Sequence, residues 1–284
     1  MTAHDGAKAG LPRFIYGTAW KEEATEALAA RALACGFRAI DTANQRKHYF
    51  EAGVGAAVAA AIARGELTRA QLFLQTKFTY ARGQDHRLPY DPGARPGQQV
   101  RQSFASSLEH LRSDRIDSYV LHGPERASGL SAADHEVWRA MSELAQAGQT
   151  GLLGISNASA QQVAALCALA ARDELVRPTF VQNRCYARRG WDRDVRAVCR
   201  TEGLVYQGFS LLTANPHVLA SATVGRAAAA RNASPAAIVF RFALDVGMLP
   251  LTGTTSQEHM RDDLAALDLP PLDPAERRAL EDIG

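Results

Sequence analysis

Short β-rich runs alternate with longer helical runs from one end of this 284-residue chain to the other. The strand candidates are FIYGT (14–18), AIDTA (39–43), LFLQTK (72–77), DSYVLH (117–122), GLLGIS (151–156), TFVQNR (179–184), LVYQGF (204–209) and LPLTG (249–253). Several are nearly continuous apolar runs, the pattern of parallel strands covered on both faces. Between them lie amphipathic helical stretches at 23–35, 50–64, 98–112, 133–147, 159–171 and 192–202. Segment 217–247 reads as two helices split at Asn232-Ala233-Ser234-Pro235, with Ser234 as the cap and Pro235 at the first helical position. Eight βα units in a chain of this length predict an α/β fold, a single-domain (β/α)8 TIM barrel over residues 1–284. An open doubly wound sheet is the alternative. The first βα turn, GTAWKEE, carries no GxGxxG, so a Rossmann nucleotide site has no support.

In a barrel of parallel strands the C-terminal strand ends share one rim, where barrel enzymes keep their chemistry. Four ionisable residues fall at or just after such ends: Asp41, Tyr49, Lys77 and His122. Each has an ordinary reading when taken alone. The Asp is a cap or turn former, the Tyr packs on a helix, the Lys is a solvated strand end, and the His is structural. Their placement on one rim is what makes them a candidate proton-delivery set for carbonyl reduction. Residues 79–97, rich in Gly, Pro, Arg and Asp, form a long loop at the same rim, where such loops are usually functional.

Composition narrows the partners. The net charge is +2 with both signs interspersed, which suggests neither nucleic acid nor a membrane surface. VGAAVAAAIA, the longest strongly apolar helical stretch, is too short to span a bilayer. MTAHDGAKAG lacks the apolar core of a signal peptide. Cys35, Cys167, Cys185 and Cys199 show no CxxC spacing, and a reduced cytoplasmic protein with buried thiols is the simplest reading. No His/Asp/Glu cluster has metal-ligand spacing.

The ordered set GTAWK, GFRAIDTA, LFLQTK, QQVRQSFASSLEHLRSDRIDSYVLHGP, LLGISN and SPAAIVFRFAL resembles the aldo-keto reductases over essentially the whole chain. That family is a (β/α)8 barrel that binds an extended nicotinamide dinucleotide and interconverts carbonyls and alcohols. The resemblance implies that Tyr49 donates the proton, Lys77 lowers the Tyr pKa, Asp41 pairs with Lys77, and His122 orients the substrate carbonyl. A free phenol has a pKa near 10, and a nearby ammonium favours its ionised form. In the usual pattern the Tyr comes five residues after the Asp; here that position is Arg46, and NQRKHYFEAGVG is two residues longer. Tyr49 is the only Tyr in the segment. If it merely packs on the second helix, His122 alone is left to donate.

The resemblance also implies a cofactor cradle. Ser156, Asn157 and Gln182 would bind the carboxamide, Phe209 would stack on the nicotinamide, and backbone amides around Ser210, Leu211 and Leu212 would receive the pyrophosphate. Gly253, Thr254, His259 and Asp263 fall at the adenosine end. The first and third of these stand where the family's NADPH users have a Lys and an Arg, so no permanent cation meets a 2′-phosphate, although Arg261 is close in sequence. NADPH is the expected cofactor, with NADH use plausible.

For the substrate, Trp20 is the expected aromatic wall, and Tyr80 a further contact. Gly123 replaces a bulky aromatic of many relatives. The chain ends at Gly284, where many relatives continue into a loop that closes the site. These features predict an open apolar mouth accepting bulky or aromatic carbonyl compounds. Two other functions stay open: a non-catalytic cofactor-binding sensor or auxiliary subunit, and a different barrel enzyme such as a phosphate-ester isomerase. The lack of a glycine-rich phosphate loop after the seventh strand weighs against the isomerase.

Overall fold

The computed structural model describes residues 10–283; the expectations that rest on MTAHDGAKA and on Gly284 lie outside the described residues. Eight parallel strands close in sequence order into one barrel. They are β1 Ile15–Gly17, β2 Ala39–Asp41, β3 Phe73–Phe78, β4 Ile116–Leu121, β5 Thr150–Ser156, β6 Phe180–Arg184, β7 Val205–Phe209 and β8 Met248–Thr252. The register Tyr16↔Thr252 seals β1 to β8, so no strand edge is left open. The doubly wound alternative is thereby excluded.

Helices follow the strands as expected: α1 Thr25–Cys35, α2 Glu51–Ala63, α3 Pro96–Leu111, α4 Ala132–Gln146, α5 Ala160–Arg172 and α6 Arg193–Glu202. After β7 come α7 Pro216–Leu219, α8 Ala222–Arg231 and α9 Pro235–Asp245, and after β8 come α10 Gln257–Ala265 and α11 Pro274–Glu281. The break between α8 and α9 is where the sequence puts it. Asn232 is left-handed, and the Ser234 hydroxyl accepts from the amide of Ala237 with Pro235 at the first helical position. Among the described residues no helix is long and apolar enough to cross a membrane.

Strand alternation separates two interiors. Outward-facing Tyr16, Ile40, Leu74, Tyr119, Val181 and Tyr206 pack with the helices into the main core. Inward-facing Ile15, Ala39, Phe180, Leu249 and Leu251 form a small apolar plug. Above the plug, toward the C-terminal rim, the inward positions turn polar: Asp41, Gln75, Lys77, Ser118, Gln182 and Gln207 are all buried. Buried polar groups persist only when their hydrogen bonds are made, so this layer is held by its own network.

Candidate active site

Asp41 closes β2, and Lys77 is one residue from the end of β3. Lys77 is fully buried. Its Nζ donates to Asp41 Oδ1 at 2.7 Å and Oδ2 at 2.6 Å, and to the Thr42 carbonyl at 2.7 Å. These bonds use all the N–H groups of an ammonium. Burial pulls the Lys77 pKa down, and the Asp41 carboxylate opposes it. Asp41 Oδ1 also accepts from Gln75 Nε2 at 2.7 Å and Gln182 Nε2 at 3.0 Å. Gln207 Oε1 accepts from the same two amides, at 2.8 and 2.9 Å. The ion pair therefore sits in a satisfied cage, which offsets much of the cost of burying it.

Tyr49 reaches this pair from the β2–α2 loop. The amides of His48 and Tyr49 both turn back onto the Gln45 carbonyl, at 3.1 and 3.0 Å. Lys77 Nζ lies 5.0 Å from the centroid of the Tyr49 ring. The Tyr49 and His122 rings meet edge to face, with centroids 5.8 Å apart. His122 follows β4, its amide bonded to the Phe78 carbonyl at 2.9 Å and its Nδ1 paired with the Thr79 hydroxyl at 2.7 Å. All four rim residues are thus brought together.

One expectation needs correction. Burial, with the Asp41 charge second, pushes the Tyr49 phenol above its ordinary range rather than below it. The reason is geometric: the Lys77 N–H bonds go to Asp41 and Thr42, and the ammonium meets the face of the ring. His122 is held well below the usual imidazole range by burial, then by the Lys77 ammonium and His48. It is neutral near pH 7.

The nicotinamide-end candidates line up on adjacent strand ends. The Ser156 hydroxyl donates to the Gln182 carbonyl at 2.6 Å. Asn157, left-handed at φ 53°, donates through Nδ2 to the His122 carbonyl at 2.8 Å, which leaves its Oδ1 as an acceptor. Phe209 is half-buried at the end of β7, with the Arg184 guanidinium 5.7 Å from its ring. Ser210 is also left-handed, φ 57°, ahead of Leu211 and Leu212. An exposed amide acceptor, a half-buried aromatic face and a strand-end turn fit the carboxamide, ring and pyrophosphate of a nicotinamide dinucleotide.

At the adenosine end the fit changes. Gly253 and His259 are exposed, and Thr254 is half-buried with its Oγ1 accepting from the Ser256 amide at 3.2 Å. Asp263 is not brought to this surface. It is buried, and its Oδ2 accepts the Thr252 hydroxyl at 2.7 Å, so it ties α10 to β8. A cation that the sequence reading overlooked is there instead: Lys21 is buried and donates to the Gly253 carbonyl at 2.6 Å. Its position in GTAWK, just after β1, gave no sign that it crosses to the end of β8.

A cleft of about 460 Å³ opens beside His122 and Gly123. Tyr80 lines it, but its hydroxyl is committed to Asp134 Oδ1 at 2.9 Å. Trp20 does not line it. Trp20 is exposed and left-handed, and stacks on His48 at a centroid distance of 3.8 Å. The cleft lining is mixed, with Gln45, Thr79, Arg82, Arg126, Asn157 and Gln162 beside Tyr80, Pro124 and Ala127.

A profile of the Aldo/keto reductase family matches residues 13–284. Among curated proteins, the chain is 27% identical over 277 residues to the methylglyoxal reductase DkgB of Salmonella typhimurium, covering 95% of this chain and 92% of that one. It is 28% identical over 237 residues to an aldo-keto reductase of Mycolicibacterium vanbaalenii, covering 84% and 75%. The crystal structure of an aldo/keto reductase from Brucella melitensis superposes with a TM-score of 0.78 at 23% identity, over 96% of this chain and 95% of that one. At that identity the superposition speaks for the fold, and the profile match carries the family. The chain belongs to the aldo/keto reductase family, oxidoreductases that act on carbonyl groups.

Proposed function

We propose that this protein reduces aldehydes or ketones to alcohols with NADPH, accepting NADH less well. The observation that carries the reading is the buried Asp41–Lys77 pair with the Tyr49 ring against it and the His122 ring edge to face with Tyr49, His122 in turn lining a cleft of substrate size. The bound dinucleotide supplies the hydride. Ser156, Asn157, Gln182 and Phe209 hold its nicotinamide end, and the turn at Ser210–Leu212 faces its pyrophosphate. Tyr49 gives its phenol proton to the carbonyl oxygen, and neutral His122 orients that oxygen. Lys21, beside Gly253 and Thr254, is the cation at the phosphate end. Gly123 leaves room for bulky or aromatic substrates. The four unpaired cysteines agree with a reducing, cytoplasmic setting.

The test is loss of reduced-nicotinamide absorbance when the purified protein meets NADPH and an aromatic aldehyde. No turnover across aromatic and aliphatic aldehydes, with cofactor binding intact, would favour a cofactor-binding sensor of the same fold.

A further inference from the structure

The rim after β6 carries a cation that the reductase reading leaves without a task. Gln182 and Gln207 point into the barrel and are buried in its polar layer. Side chains two residues apart share a face of a strand, so Arg184 and Phe209 crown the same inner face one step closer to the mouth. The register pairs these two residues directly across β6 and β7. Arg184 is exposed, and its guanidinium lies 5.7 Å from the centre of the Phe209 ring.

Among the described residues no carboxylate pairs with Arg184, whereas Arg177 before it and Arg196 after it pair with Glu202 and Glu281 at 2.7 and 2.9 Å. The first acid after it in the chain, Asp192, is otherwise engaged. Its Oδ2 accepts from Asn183 Nδ2 at 2.8 Å and from the Tyr206 hydroxyl at 2.9 Å. The Arg184 guanidinium makes a neutral polar contact, with Nη1 donating to the Tyr186 hydroxyl at 3.5 Å. Arg189, exposed in the same loop, adds a second charge 5.3 Å from the centre of the Tyr186 ring. A guanidinium keeps its proton throughout the working pH range, so the positive potential beside Phe209 is permanent.

Resting on the reductase reading, with the nicotinamide stacked on Phe209, we propose that Arg184 sets the balance between the two oxidation states of the cofactor by disfavouring the oxidised one. The dihydronicotinamide ring is neutral. Once its hydride has passed to the carbonyl carbon, with both electrons of the C–H bond, the ring carries one positive charge, and the carbonyl oxygen takes its proton from Tyr49. Only the oxidised ring is repelled by a guanidinium beside Phe209. Arg184 therefore loosens the oxidised dinucleotide relative to the reduced one and eases its release after reduction. The midpoint potential of the bound couple rises by about 30 mV for each tenfold in the ratio of the two affinities. Arg184 is exposed, so added salt weakens the effect.

The experiment is calorimetric titration of the purified protein with NADP⁺ and with NADPH, at low and at high salt, in a charge series at this one position. In Arg184→Gln the ratio of the Kd for NADP⁺ to the Kd for NADPH should fall by about threefold to tenfold, chiefly because NADP⁺ binds more tightly. Arg184→Glu should lower the ratio further. Arg184→Lys keeps the charge and should hold the ratio near its wild-type value, which a merely structural role for the side chain does not require. The difference between wild type and Arg184→Gln should shrink in added salt. A ratio unchanged in both Arg184→Gln and Arg184→Glu would overturn the proposal. So would equal weakening of both forms, which would place the guanidinium on a phosphate common to them. Binding of neither form by the wild type would sink the dinucleotide reading itself, and this proposal with it. Binding with an unmoved ratio leaves that reading standing and removes only the role of Arg184.

Discussion

Lys77 Nζ lies 5.0 Å from the centre of the Tyr49 ring, while its hydrogen bonds run to Asp41 and the Thr42 carbonyl. The ammonium therefore faces the aromatic ring instead of sharing a proton with the phenol. A cation over an aromatic face is attractive, so the contact also fixes the ring. With burial pushing the phenol upward, Tyr49 is an acid that keeps its proton through neutral pH.

Tyr49→Phe is expected to lower kcat for reduction by ~10²–10⁴-fold while leaving cofactor affinity nearly intact, since general acid catalysis is worth that much. The pH dependence follows from the raised phenol. Its protonated form persists into the alkaline range, so reduction by the wild type should show no loss from Tyr49 ionisation between pH 6 and about 9. Alcohol oxidation needs the phenolate and should rise with pH across the same range. Near-normal kcat in Tyr49→Phe would assign the donor role to His122 or to water.

Lys77→Met removes one half of a buried ion pair. It leaves the Asp41 carboxylate with only the Gln75 and Gln182 amides. Breaking such a pair on one side costs about 3–5 kcal/mol, so thermal unfolding should shift down by several degrees. Asp41→Asn combined with Lys77→Met should be more stable than Lys77→Met alone, because no charge is then stranded. Calorimetric unfolding of the wild type and the two variants checks both statements, and an unchanged melting temperature in Lys77→Met would show that the pair contributes no net stability.

The strand ends were legible because parallel strands read as apolar runs and the chemistry sits at their tips. Asp41, Lys77 and His122 fell out of that pattern directly. The cage around them did not. Gln75 and Gln207 look like polar interruptions in apolar strands, and only the closed barrel brings Gln75 onto the Asp41 carboxylate and Gln207 onto the Gln75 amide. The available signal was period two: Gln75 and Lys77 share a face of β3, as Gln207 and Phe209 share a face of β7. Lys21 was invisible for a different reason. Lys21 meets Gly253 across the β1–β8 seam, 232 residues apart in sequence, and spacing carries no information about such a contact.

If Lys21 meets the cofactor phosphate as proposed, binding there is sensitive to pH. Burial lowers its pKa to about 8, so its charge is present below that value and lost as pH rises through it. Affinity for NADPH should fall above about pH 8, and Lys21→Gln should remove that dependence and weaken NADPH by about tenfold. A larger loss for NADPH than for NADH in fluorescence titrations places Lys21 at the 2′-phosphate. An equal loss for both places it at the pyrophosphate, and no loss for either excludes it from the cofactor site.

Asp263 offers a stability test. Burial raises its pKa from 3.8 to about 6, outweighing the hydrogen bond from Thr252. A carboxyl group whose folded pKa is raised binds its proton more tightly in the native state. Its contribution is therefore most favourable below the unfolded pKa, and declines as pH rises from about 4 to 6. Asp263→Asn retains an acceptor for Thr252 and carries no charge. It should raise the melting temperature at pH 7 to 8, with a ceiling of about 3 kcal/mol from the size of the shift. The gain should vanish near pH 4, and equal stability of both proteins at pH 7 to 8 would show that the buried carboxylate costs the fold nothing.

Gly123 sits in the cleft lining next to His122. A Cβ built there would lie 3.7 Å from Asn157 Cβ and 3.7 Å from the Ser156 carbonyl oxygen, ordinary contact distances, so the backbone tolerates a side chain. Gly123→Trp should narrow the cleft without unfolding the barrel. The bulk would fall beside the carbonyl position. A two-ring ketone then loses room it needs, whereas a short aliphatic aldehyde buries little area there and loses little. The expected result is a drop in kcat/KM for the two-ring ketone at least tenfold greater than for the aldehyde, a difference of about 1.4 kcal/mol in transition-state binding. If the two substrates are penalised equally, or the larger one is favoured, Gly123 does not face the substrate and the carbonyl site lies elsewhere on the rim.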